Sequence, residues 1–385
     1  KHRKEKTIGL NGSIATNFNY PLGSGVTTNI NLRTEKFNLF NTSGFRYSDA
    51  PGNAFFDNNY FTRTINEILT PLIMLRGIKN SPIVNKKWDG VIWYSPTIFL
   101  GPVANFLKRN SNCPGYLILR DIFPDWAVDM GLINKGIPYR ILKIFEKYQY
   151  SVADIIGVQA NGNLPYFRDI NNKDNTKIEV LNNWLSHTGA THSSLDISST
   201  KISGRKIFIY AGNMGVAQGI EILFQLPLLL KHRKDIGFLF VGRGSEMDKY
   251  RKDPVFSGLD NTIFYDQIDA DEIPSLFNQC HIGMLSLDIR HKTHNIPGKF
   301  LSYIASGLPV LASVNPGNDL IDLIEKSNTG RVISDANVSN FAIEAQALLD
   351  SLAEFDISSN CKKLSNDDFQ PLQAVKQIIK SIENH

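Results

Sequence analysis

The chain has 385 residues, of which 42% are hydrophobic and 20% charged, and its formal net charge is +4. This composition is ordinary for a globular protein, and the length allows two domains of typical size. No apolar run reaches the roughly 18 residues that a transmembrane helix needs, so none is expected. The three cysteines are far apart and lack CxxC spacing, which predicts a reduced, cytoplasmic protein without a zinc site.

The charge is unevenly divided along the chain. Residues 1–190 hold 22 lysines and arginines against 14 aspartates and glutamates, whereas the remainder holds 19 against 23. The basic first half indicates an anionic partner, either a membrane surface or a lipid-linked phosphate; the alternative is a scattered excess of solvated lysines. No nucleic-acid-binding motif is present, so a nucleic-acid partner is not expected.

The first half alternates predicted strands and helices. Short strands are predicted at 8–10, 36–40, 89–94, 115–119, 154–158 and 178–181, and helices at 60–78, 98–108 and 139–151. The helix at 139–151 carries Arg140, Lys143 and Lys147 beside an apolar side. Such a basic amphipathic helix either touches a membrane or is a core helix with a solvated face.

The second half repeats the alternation. Strands are predicted at 206–210, 237–241, 261–265, 282–287 and 308–312, and helices at 221–232, 271–279, 299–306 and 371–382. Two doubly wound α/β domains that face a cleft are therefore expected. The predicted limits are an N-terminal domain at 1–186, a linker at 187–204, a C-terminal domain at 205–370 and a final helix at 371–385.

An anion site is predicted at Pro297-Gly298-Lys299, where a helix begins before a buried strand. Phe300, Leu301, Ile304 and Ala305 recur at helical spacing, and Gly307 is expected to end the helix. The first-turn N–H groups have no partners within the helix, and the helix dipole favours negative charge there. Lys299 would add a full positive charge. The alternative is an ordinary surface helix.

Two glycine-containing turns strengthen this interpretation. Gly212-Asn213-Met214-Gly215 and Gly242-Arg243-Gly244 each follow a predicted strand. Glycines in such turns let backbone N–H groups approach phosphate closely. With the Lys299 helix, these turns suggest a diphosphate held near helix N-termini.

Other chemistries have less support in the sequence. His291 and His294 are three residues apart but lack a carboxylate partner or HExxH spacing, so no metal site is expected. No GxSxG or catalytic-cysteine signature is present. Arg120 and Asp121 follow a predicted strand directly, and ligands gather beyond the carboxyl ends of parallel strands, so both are candidate cleft residues.

These motifs resemble those of the GT-B fold glycosyltransferases of family 4, the retaining nucleotide-sugar transferases. The resemblance covers about residues 88–385. Its most telling pieces are Tyr94-Ser95-Pro96, Leu119-Arg120-Asp121-Ile122-Phe123-Pro124, Tyr210-Ala211-Gly212-Asn213 and residues 295–312. Within the family the chain is most similar to L-fucosamine (N-acetylfucosamine) transferases of bacterial surface-polysaccharide synthesis, mainly through IPGKF…GLPVLA.

The resemblance implies a GT-B architecture, in which two Rossmann-like domains face a cleft and the C-terminal helix packs back toward the first domain. It implies a hexosyltransferase that moves N-acetyl-L-fucosamine or another N-acetylated hexosamine from a UDP-sugar, with retention. The expected acceptor is a polyprenyl-diphosphate-linked saccharide of O-antigen or capsule biosynthesis. No cofactor and no metal are required, and the enzyme would be cytoplasmic or peripheral on the inner membrane.

The resemblance also implies roles for particular residues. Lys299 and its helix N-terminus would stabilise the leaving phosphate, while the backbone of residues 295–298, including Asn295 and Gly298, would meet the sugar hydroxyls. Asp121, beside Arg120, would position the acceptor hydroxyl; a structural cap is the alternative.

The chain departs from the family pattern in three places. The family's E-x7-E glutamates would fall at positions 294 and 302, where this chain has His294 and Ser302. The second glutamate usually holds the ribose. His294, at the first position, is expected beside the donor sugar, where its ring would donate a hydrogen bond to a sugar hydroxyl or phosphate; a loop histidine that faces solvent is the alternative. The arginine usual in the phosphate-binding turn is absent near Asn213, which leaves Lys299, Arg243 or Lys292 to supply the charge. No convincing copy of the family's first strand and glycine-rich loop is found in residues 1–35.

Two other functions remain compatible with the same motifs. A GT-B fold UDP-sugar 2-epimerase would share the nucleotide site and need no acceptor. A catalytically inactive nucleotide-sugar-binding protein would also fit the substituted glutamates.

Overall fold

The computed structural model describes residues 21–22, 26–27, 60–95, 97–168, 176–185, 192–215, 218–294 and 296–385, with only the backbone for the first two ranges and for 60–66. The strands predicted at 8–10 and 36–40 lie outside these residues. A short antiparallel pair, β1 (Pro21–Leu22) and β2 (Val26–Thr27), precedes the two main sheets.

The first main sheet has four parallel strands in chain order. They are β3 (Val91–Ser95), β4 (Gly115–Leu119), β5 (Ile155–Val158) and β6 (Lys177–Val180). The helices of this half are α1 (Tyr60–Lys79), α2 (Gly101–Ser111), α3 (Asp125–Asp129) and α4 (Ile137–Val152), with 3-10 helices at Pro82–Asn85 and Asn161–Phe167.

The second main sheet has six parallel strands. They are β7 (Lys206–Asn213), β8 (Ile236–Arg243), β9 (Thr262–Asp266), β10 (Ile282–Ser286), β11 (Val310–Ser313) and β12 (Gly330–Ile333). Their spatial order is β12-β11-β10-β7-β8-β9. The helices are α5 (Glu221–Leu229), α6 (Ser245–Lys252), α7 (Pro254–Ser257), α8 (Ile273–Phe277), α9 (Gly298–Ala305), α10 (Asp319–Ser327), α11 (Val338–Ser351), α12 (Ile357–Asp368) and α13 (Pro371–Glu383), with 3-10 helices at Ile197–Ser199 and Ala270–Glu272.

The strand order creates a switch point beside β7. The chain passes from β7 to β8 and β9 on one side, and then places β10 on the other side of β7. Loops that follow β7 and β10 therefore diverge and leave a crevice at the carboxyl edge of the sheet. Ligands of open α/β sheets bind in such crevices.

The C-terminal helix returns to the first domain, as the sequence predicted. Successive side chains of β4 point to opposite faces of the sheet. Leu117 and Leu119 join the core on one face, whereas Tyr116 and Ile118 pack on the other face against α13. Helix α13 contributes Ala374, Ile378 and Ile382 to that second core. Each isoleucine buried there stabilises the contact by roughly 1.5–3 kcal/mol.

Most predicted elements are present, but two boundaries near the cleft were wrong. The strand predicted to end at residue 210 continues to Asn213, because Gly212 and Asn213 keep parallel register with Gly242 and Arg243. The helix predicted at 98–108 begins at Gly101 with Pro102 in its first turn, where the fixed proline φ suits a helix start.

The domain limits at 186, 204 and 370 stay predictions. The described part of the proposed linker, residues 192–204, places Leu195, Ile197 and Ile202 in the core of the second domain. These three side chains belong to the same hydrophobic core as the residues of β7, so this segment packs with the second sheet.

Candidate functional site

Helix α9 presents an uncapped N-terminus to the crevice beside β7. Its N-cap is Pro297, which makes no side-chain capping bond, so the first-turn N–H groups have no side-chain partner at this cap. The helix is anchored to the core of the second domain, because Phe300 and Ile304 are completely buried in it. Gly307, at φ +72°, ends it as predicted. Lys299 is the only charged residue of this helix.

The Lys299 side chain is a partly buried cation without a counter-ion. Its Nζ lies 5.1 Å from the centroid of the Tyr210 ring. Among the residues that the structure describes, no carboxylate comes within ion-pair distance of this amine. Burial lowers the pKa of Lys299 to about 8, because the charged form loses hydration without gaining a partner. An anion bound here would supply the missing charge.

Gly212 makes room for this lysine. A Cβ at Gly212 would lie 2.7 Å from Lys299 Cε, and the glycine has φ +139°, which L side chains rarely adopt. Gly242 on the neighbouring strand faces Gly212 directly, since its Cβ would lie 1.9 Å from the Gly212 carbonyl oxygen. The two glycines therefore allow a close approach of two backbones, with Lys299 against the outer one.

The remaining residues of these two turns are largely committed to each other. The Met214 N–H donates to the Arg243 carbonyl oxygen at 2.8 Å. Gly244, at φ +141°, lies against the Met214 backbone. The Gly215 N–H donates to Gln218 Oε1 at 3.0 Å. Close packing against the first turn thus explains why glycines occupy the second turn. Phosphate binding by Gly215 stays a prediction.

The side chains of Asn213 and Arg243 lie at adjacent strand ends. They are paired in parallel register at the carboxyl ends of β7 and β8, and both are exposed. Asn213 Nδ2 is 3.5 Å from Gln218 Oε1. Both residues lie at the carboxyl edge of the sheet, which borders the crevice beside β7.

Ser302 and Gly298 are joined within α9. The Ser302 hydroxyl donates to the Gly298 carbonyl oxygen at 3.0 Å, one helical turn earlier. A serine that bonds back to its own helix has less capacity for a ligand. A Cβ added at Gly298 would meet nothing within 4 Å, so there is open space at the helix start. Asn295 lies outside the described residues.

The loop between β10 and α9, residues 287–297, meets the first domain. His294 is fixed by its backbone, because its N–H donates to Asn163 Oδ1 at 2.9 Å and its carbonyl oxygen accepts from Asn163 Nδ2 at 2.7 Å. The His294 ring lies so close to Gly162 that a Cβ on residue 162 would be 1.9 Å from Nδ1 of the ring. The same Nδ1 is 3.6 Å from Asp319 Oδ1. The predicted contact of His294 with a donor sugar stays a prediction.

Lys292 belongs to the same loop but points elsewhere. Its side chain is 82% exposed, and its Nζ is 3.8 Å from Asp129 Oδ1 of the first domain. In the same stretch, the Trp126 and His291 rings approach with centroids 6.4 Å apart. Lys292 thus pairs with an acid of the first domain.

Arg120 and Asp121 lie on the other side of the cleft, directly after β4. The Arg120 side chain is buried; its Nη1 donates to the Leu181 carbonyl oxygen at 3.0 Å, and its guanidinium stacks on Trp184 at 4.5 Å. Burial raises the pKa of Asp121, although the charges of His291 and Arg120 oppose the shift. Asp121 directly follows β4, at the carboxyl edge of the first sheet, and is partly exposed.

Four residues at the domain contact were missed at the sequence level: Gln159, Gly162, Asn163 and Asp319. Gln159 Nε2 donates to the Ile296 carbonyl oxygen at 2.8 Å, and the Gly162 N–H donates to Asp319 Oδ2 at 2.7 Å. One signal was available, since Gln159 follows β5 directly and the carboxyl ends of parallel strands gather ligands and contacts.

Two kinds of feature are absent from the described part of the chain. It contains no group of three or more histidine, cysteine, aspartate or glutamate side chains that could hold a metal ion. Within those same residues, no helix is long and apolar enough to span a bilayer.

This arrangement suits the binding of a diphosphate. The uncapped N-terminus of α9 offers N–H donors, and Lys299 offers a positive charge already stripped of much of its water. Both lie at the switch point of the second sheet. A charge held in place before the reaction stabilises a leaving phosphate without reorganisation.

The second domain matches a known protein family. Residues 205–351 match the family model described as Glycosyl transferases group 1. A curated protein of Pseudomonas aeruginosa, "Probable glycosyltransferase WbjE", is 23% identical over 248 residues, which cover 63% of this chain and 60% of that protein. An Escherichia coli K12 protein, "Putative colanic acid biosynthesis glycosyl transferase WcaI", is 25% identical over 264 residues, covering 63% and 62%. The chain thus spans about three fifths of the length of these relatives.

Solved structures resemble the whole architecture. Anabaena Alr3699/HepE in complex with UDP has a TM-score of 0.59 at 13% identity, over 82% of each chain. Sucrose-phosphate synthase of Thermosynechococcus elongatus has a TM-score of 0.60 at 14% identity, over 82% of this chain and 77% of that one. WaaG, a glycosyltransferase involved in lipopolysaccharide biosynthesis, has a TM-score of 0.51 at 14% identity, over 74% and 81%.

At these identities the structural likeness concerns the fold alone. Two parallel-sheet α/β domains that face a cleft, together with these neighbours, confirm the GT-B fold predicted from the sequence. The chain therefore has the GT-B fold, and its second domain, over residues 205–351, carries the glycosyl transferases group 1 match.

Proposed function

We propose that this protein is a glycosyltransferase that moves a sugar from a UDP-sugar to a saccharide acceptor in bacterial surface-polysaccharide biosynthesis. The transferred sugar is N-acetyl-L-fucosamine or another N-acetylated hexosamine, the anomeric configuration is retained, and the acceptor is linked to polyprenyl diphosphate. The family match, the two curated relatives and the UDP-bound neighbour support this proposal.

One observation carries the assignment of the donor side. Lys299 is a partly buried amine that has no carboxylate partner in the part of the chain that the structure describes, at an uncapped helix start in the crevice beside β7. Keeping such a charge unpaired costs free energy in the ligand-free protein. A nucleoside diphosphate would remove that cost, because its negative charge would meet both the amine and the helix dipole.

The chain's own residues then suggest how the transfer proceeds. As the bond between the anomeric carbon and the diphosphate oxygen breaks, negative charge grows on the phosphate, and Lys299 stabilises it. The acceptor hydroxyl attacks from the same face, its oxygen bonds to the anomeric carbon, and its proton passes to the departing diphosphate oxygen. Asp121 in the opposite wall of the cleft is the candidate for positioning that hydroxyl. The proposed reaction requires no metal.

Donor binding is the first experiment. UDP, GDP and a panel of UDP-sugars should be compared by ligand-induced thermal shift, since a ligand of the native state stabilises it by mass action. Stabilisation by UDP compounds and not by GDP supports the proposal. Stabilisation by none of them would contradict a UDP-sugar donor.

Product analysis is the second experiment. The best donor should be incubated with acceptor lipid, and the anomeric configuration of the product read by NMR. A new retained glycosidic bond supports the proposal. An epimerised nucleotide-sugar without acceptor dependence would instead indicate the 2-epimerase, and an unchanged donor would indicate an inactive binding protein.

The same proposal places the enzyme on the inner membrane surface. On α4, Ile137, Ile141 and Ile144 are 73%, 48% and 66% exposed, and they share one helical face with the exposed Arg140 and Lys147. The only acid of α4, Glu146, is buried. A face of exposed isoleucines and basic residues without an exposed acid suits anionic lipid headgroups.

The structure corrects one residue of this face. Lys143, grouped with the basic residues at the sequence level, points inward, where its Nζ is 2.8 Å from Asp125 Oδ2 and also pairs with Glu146. It is committed to a buried network and is not available to lipid.

A further inference from the structure

The loop that opens the donor helix is held by the opposite domain. This donor loop, residues 287–297, lies between β10 and α9 of the second sheet and contains no helix or strand in its described part. Two first-domain side chains bind its backbone: Asn163 forms the pair of hydrogen bonds with His294, and Gln159 donates to the Ile296 carbonyl oxygen.

Both side chains that bind the donor loop are buried and are specific in their geometry. Asn163 and Gln159 are 4% and 3% exposed, so their amides are shielded from competing water. Asn163 uses both its oxygen and its nitrogen on one residue, which fixes the direction as well as the distance of the loop backbone. Both are uncharged and act on backbone groups, so they constrain the loop's conformation whatever its side chains are.

The contact lies immediately before the candidate phosphate site. Ile296 is three residues before Lys299, and Pro297 is the N-cap of α9. Any movement of the Ile296 carbonyl is thus passed directly to the helix start. A second contact supports the same arrangement, because the Gly162 N–H donates to Asp319 Oδ2 at 2.7 Å, beside the His294 ring.

We propose that Asn163 and Gln159 are positioning residues, which hold the donor loop in its nucleotide-binding conformation and so couple donor binding to the contact between the domains. Neither side chain needs to touch the nucleotide. This inference rests on the proposed function, since it concerns the same donor site.

Coupling of this kind must be reciprocal. If the hydrogen bonds of Asn163 and Gln159 to the donor loop favour nucleotide binding, nucleotide binding must favour those hydrogen bonds by the same factor. UDP bound to the second domain should therefore slow hydrogen exchange in the first domain, at residues 159–168. A purely structural role for Asn163 gives no such response.

Two near-isosteric variants test the proposal. Asn163→Leu removes both bonds to His294, and Gln159→Met removes the donor to Ile296 while conserving volume. The matched control is Asn161→Ala, which alters an exposed asparagine on the same 3-10 helix as Asn163; its side chain forms no hydrogen bond with the described residues. Calorimetric titration with UDP and amide exchange of the donor loop should be measured on the full chain.

We expect each variant to weaken UDP binding about ten-fold, the effect of one or two net hydrogen bonds, and to abolish the UDP-dependent protection of residues 159–168. The control should bind UDP like the wild type. Unchanged UDP affinity together with unchanged loop exchange in both variants would overturn the inference, and so would wild-type UDP binding that leaves residues 159–168 unprotected.

The failure of the proposed function would look different. In that case the wild type itself would bind no UDP. Amide hydrogen exchange of the donor loop, measured without ligand, would still test whether Asn163 and Gln159 hold the loop. Faster exchange of the donor loop in Gln159→Met would then support the positioning role, and equal exchange would overturn it. Gln159→Met serves this purpose even if Asn163→Leu fails to fold.

Discussion

Lys299 Cε lies against the α-carbon of Gly212, so closely that a Cβ on residue 212 would sit 2.7 Å from it. The two residues come from elements on either side of the switch point, one at the end of β7 and the other in the first turn of α9. The lysine amine lies over the Tyr210 ring, 5.1 Å from its centroid. Donor affinity, pH dependence and stability should all respond to this contact.

Replacing Lys299 should separate function from stability. Lys299→Met removes a partly buried charge that pairs with none of the described carboxylates, and it keeps the aliphatic packing. Because the lowered pKa records the cost of that charge, we expect the ligand-free variant to be more stable at pH 7, on the order of 1–3 kcal/mol, by denaturant unfolding. Transfer should meanwhile lose about 2–4 kcal/mol of transition-state stabilisation, measured as kcat/KM.

The control for this prediction is Lys363→Met, at an exposed lysine of α12. It should change both stability and kcat/KM little, since substitutions of exposed residues usually stay within about 0.5 kcal/mol. A Lys299→Met variant with wild-type kcat/KM would remove Lys299 from the proposed donor site.

The affinity for UDP should fall as the pH rises through about 8. In the free protein the pKa of Lys299 is about 8, so the amine is largely charged at pH 7 and largely neutral at pH 9. A bound diphosphate favours the charged form, so binding is strongest below this pKa. Calorimetric titration with UDP between pH 7 and 9.5 should show the loss, and Lys299→Met should abolish it.

The stability of the ligand-free protein should change with the opposite sign. The unfolded chain binds the Lys299 proton up to its ordinary pKa of 10.5, whereas the native state releases it near 8. Between these values the unfolded state binds more protons, so this group makes the native state more stable as the pH rises. Thermal unfolding of wild type and Lys299→Met over this range isolates the contribution.

Local patterns in the sequence were enough to predict the donor helix. The spacing of Phe300, Leu301 and Ile304, followed by Gly307, indicated α9 because apolar periodicity and a glycine stop act over a few residues. The alternation of strands and helices likewise indicated the parallel sheets. Both signals are carried by residues that are close in sequence.

The residues that join the domains could not be predicted in this way. Gln159 and Ile296 are 137 positions apart, and only the folded arrangement of two sheets brings them together. The role of Gly212 was also only partly visible. A glycine turn after a strand was recognised, but its use as space for Lys299 depends on where the second sheet places α9.

Ser302 should contribute little to nucleotide binding, because its hydroxyl already bonds to the Gly298 carbonyl oxygen. We expect Ser302→Ala to cost no more than about 1 kcal/mol of UDP affinity, the value of a single neutral bond. Ser302→Glu restores the carboxylate that the related family has at this position, and it should tighten UDP binding through charge-assisted bonds to the ribose. Equal or weaker UDP binding by Ser302→Glu would show that α9 does not present residue 302 to the ribose.

Helix α4 should carry the contact with lipid. Ile144→Glu places a negative charge on the exposed face of α4 that carries Arg140 and Lys147, and we expect it to reduce binding to vesicles containing phosphatidylglycerol. Leu372→Glu is the matched control, because Leu372 is similarly exposed, at 60%, but lies on α13. Binding of the wild type should weaken as salt rises, since surface charges are screened over roughly 8–10 Å near physiological ionic strength. Equal loss in both variants would assign the lipid contact to another surface.

Gly212→Ala should displace Lys299 without replacing it. The three atoms nearest to the new Cβ all belong to the Lys299 side chain, and the flexible end of a lysine can move aside. The backbone at φ +139° also becomes strained, which costs on the order of 1–3 kcal/mol of stability. We expect UDP affinity to fall about ten-fold, which corresponds to about 1.4 kcal/mol. Gly136→Ala is the control, because residue 136 lies in the first domain, outside the left-handed region, with only Pro138 near its Cβ.

A double-mutant cycle distinguishes the two effects of Gly212→Ala. In a Lys299→Ala background the new methyl group meets no lysine, so Gly212→Ala should retain its backbone strain but no longer change UDP affinity. The cycle should therefore show a coupling of about 1 kcal/mol or more in UDP binding and little coupling in unfolding free energy, as residues in direct contact do. Additive losses of UDP affinity would mean that Gly212 and Lys299 serve the nucleotide independently, and that the close contact between them is incidental to binding.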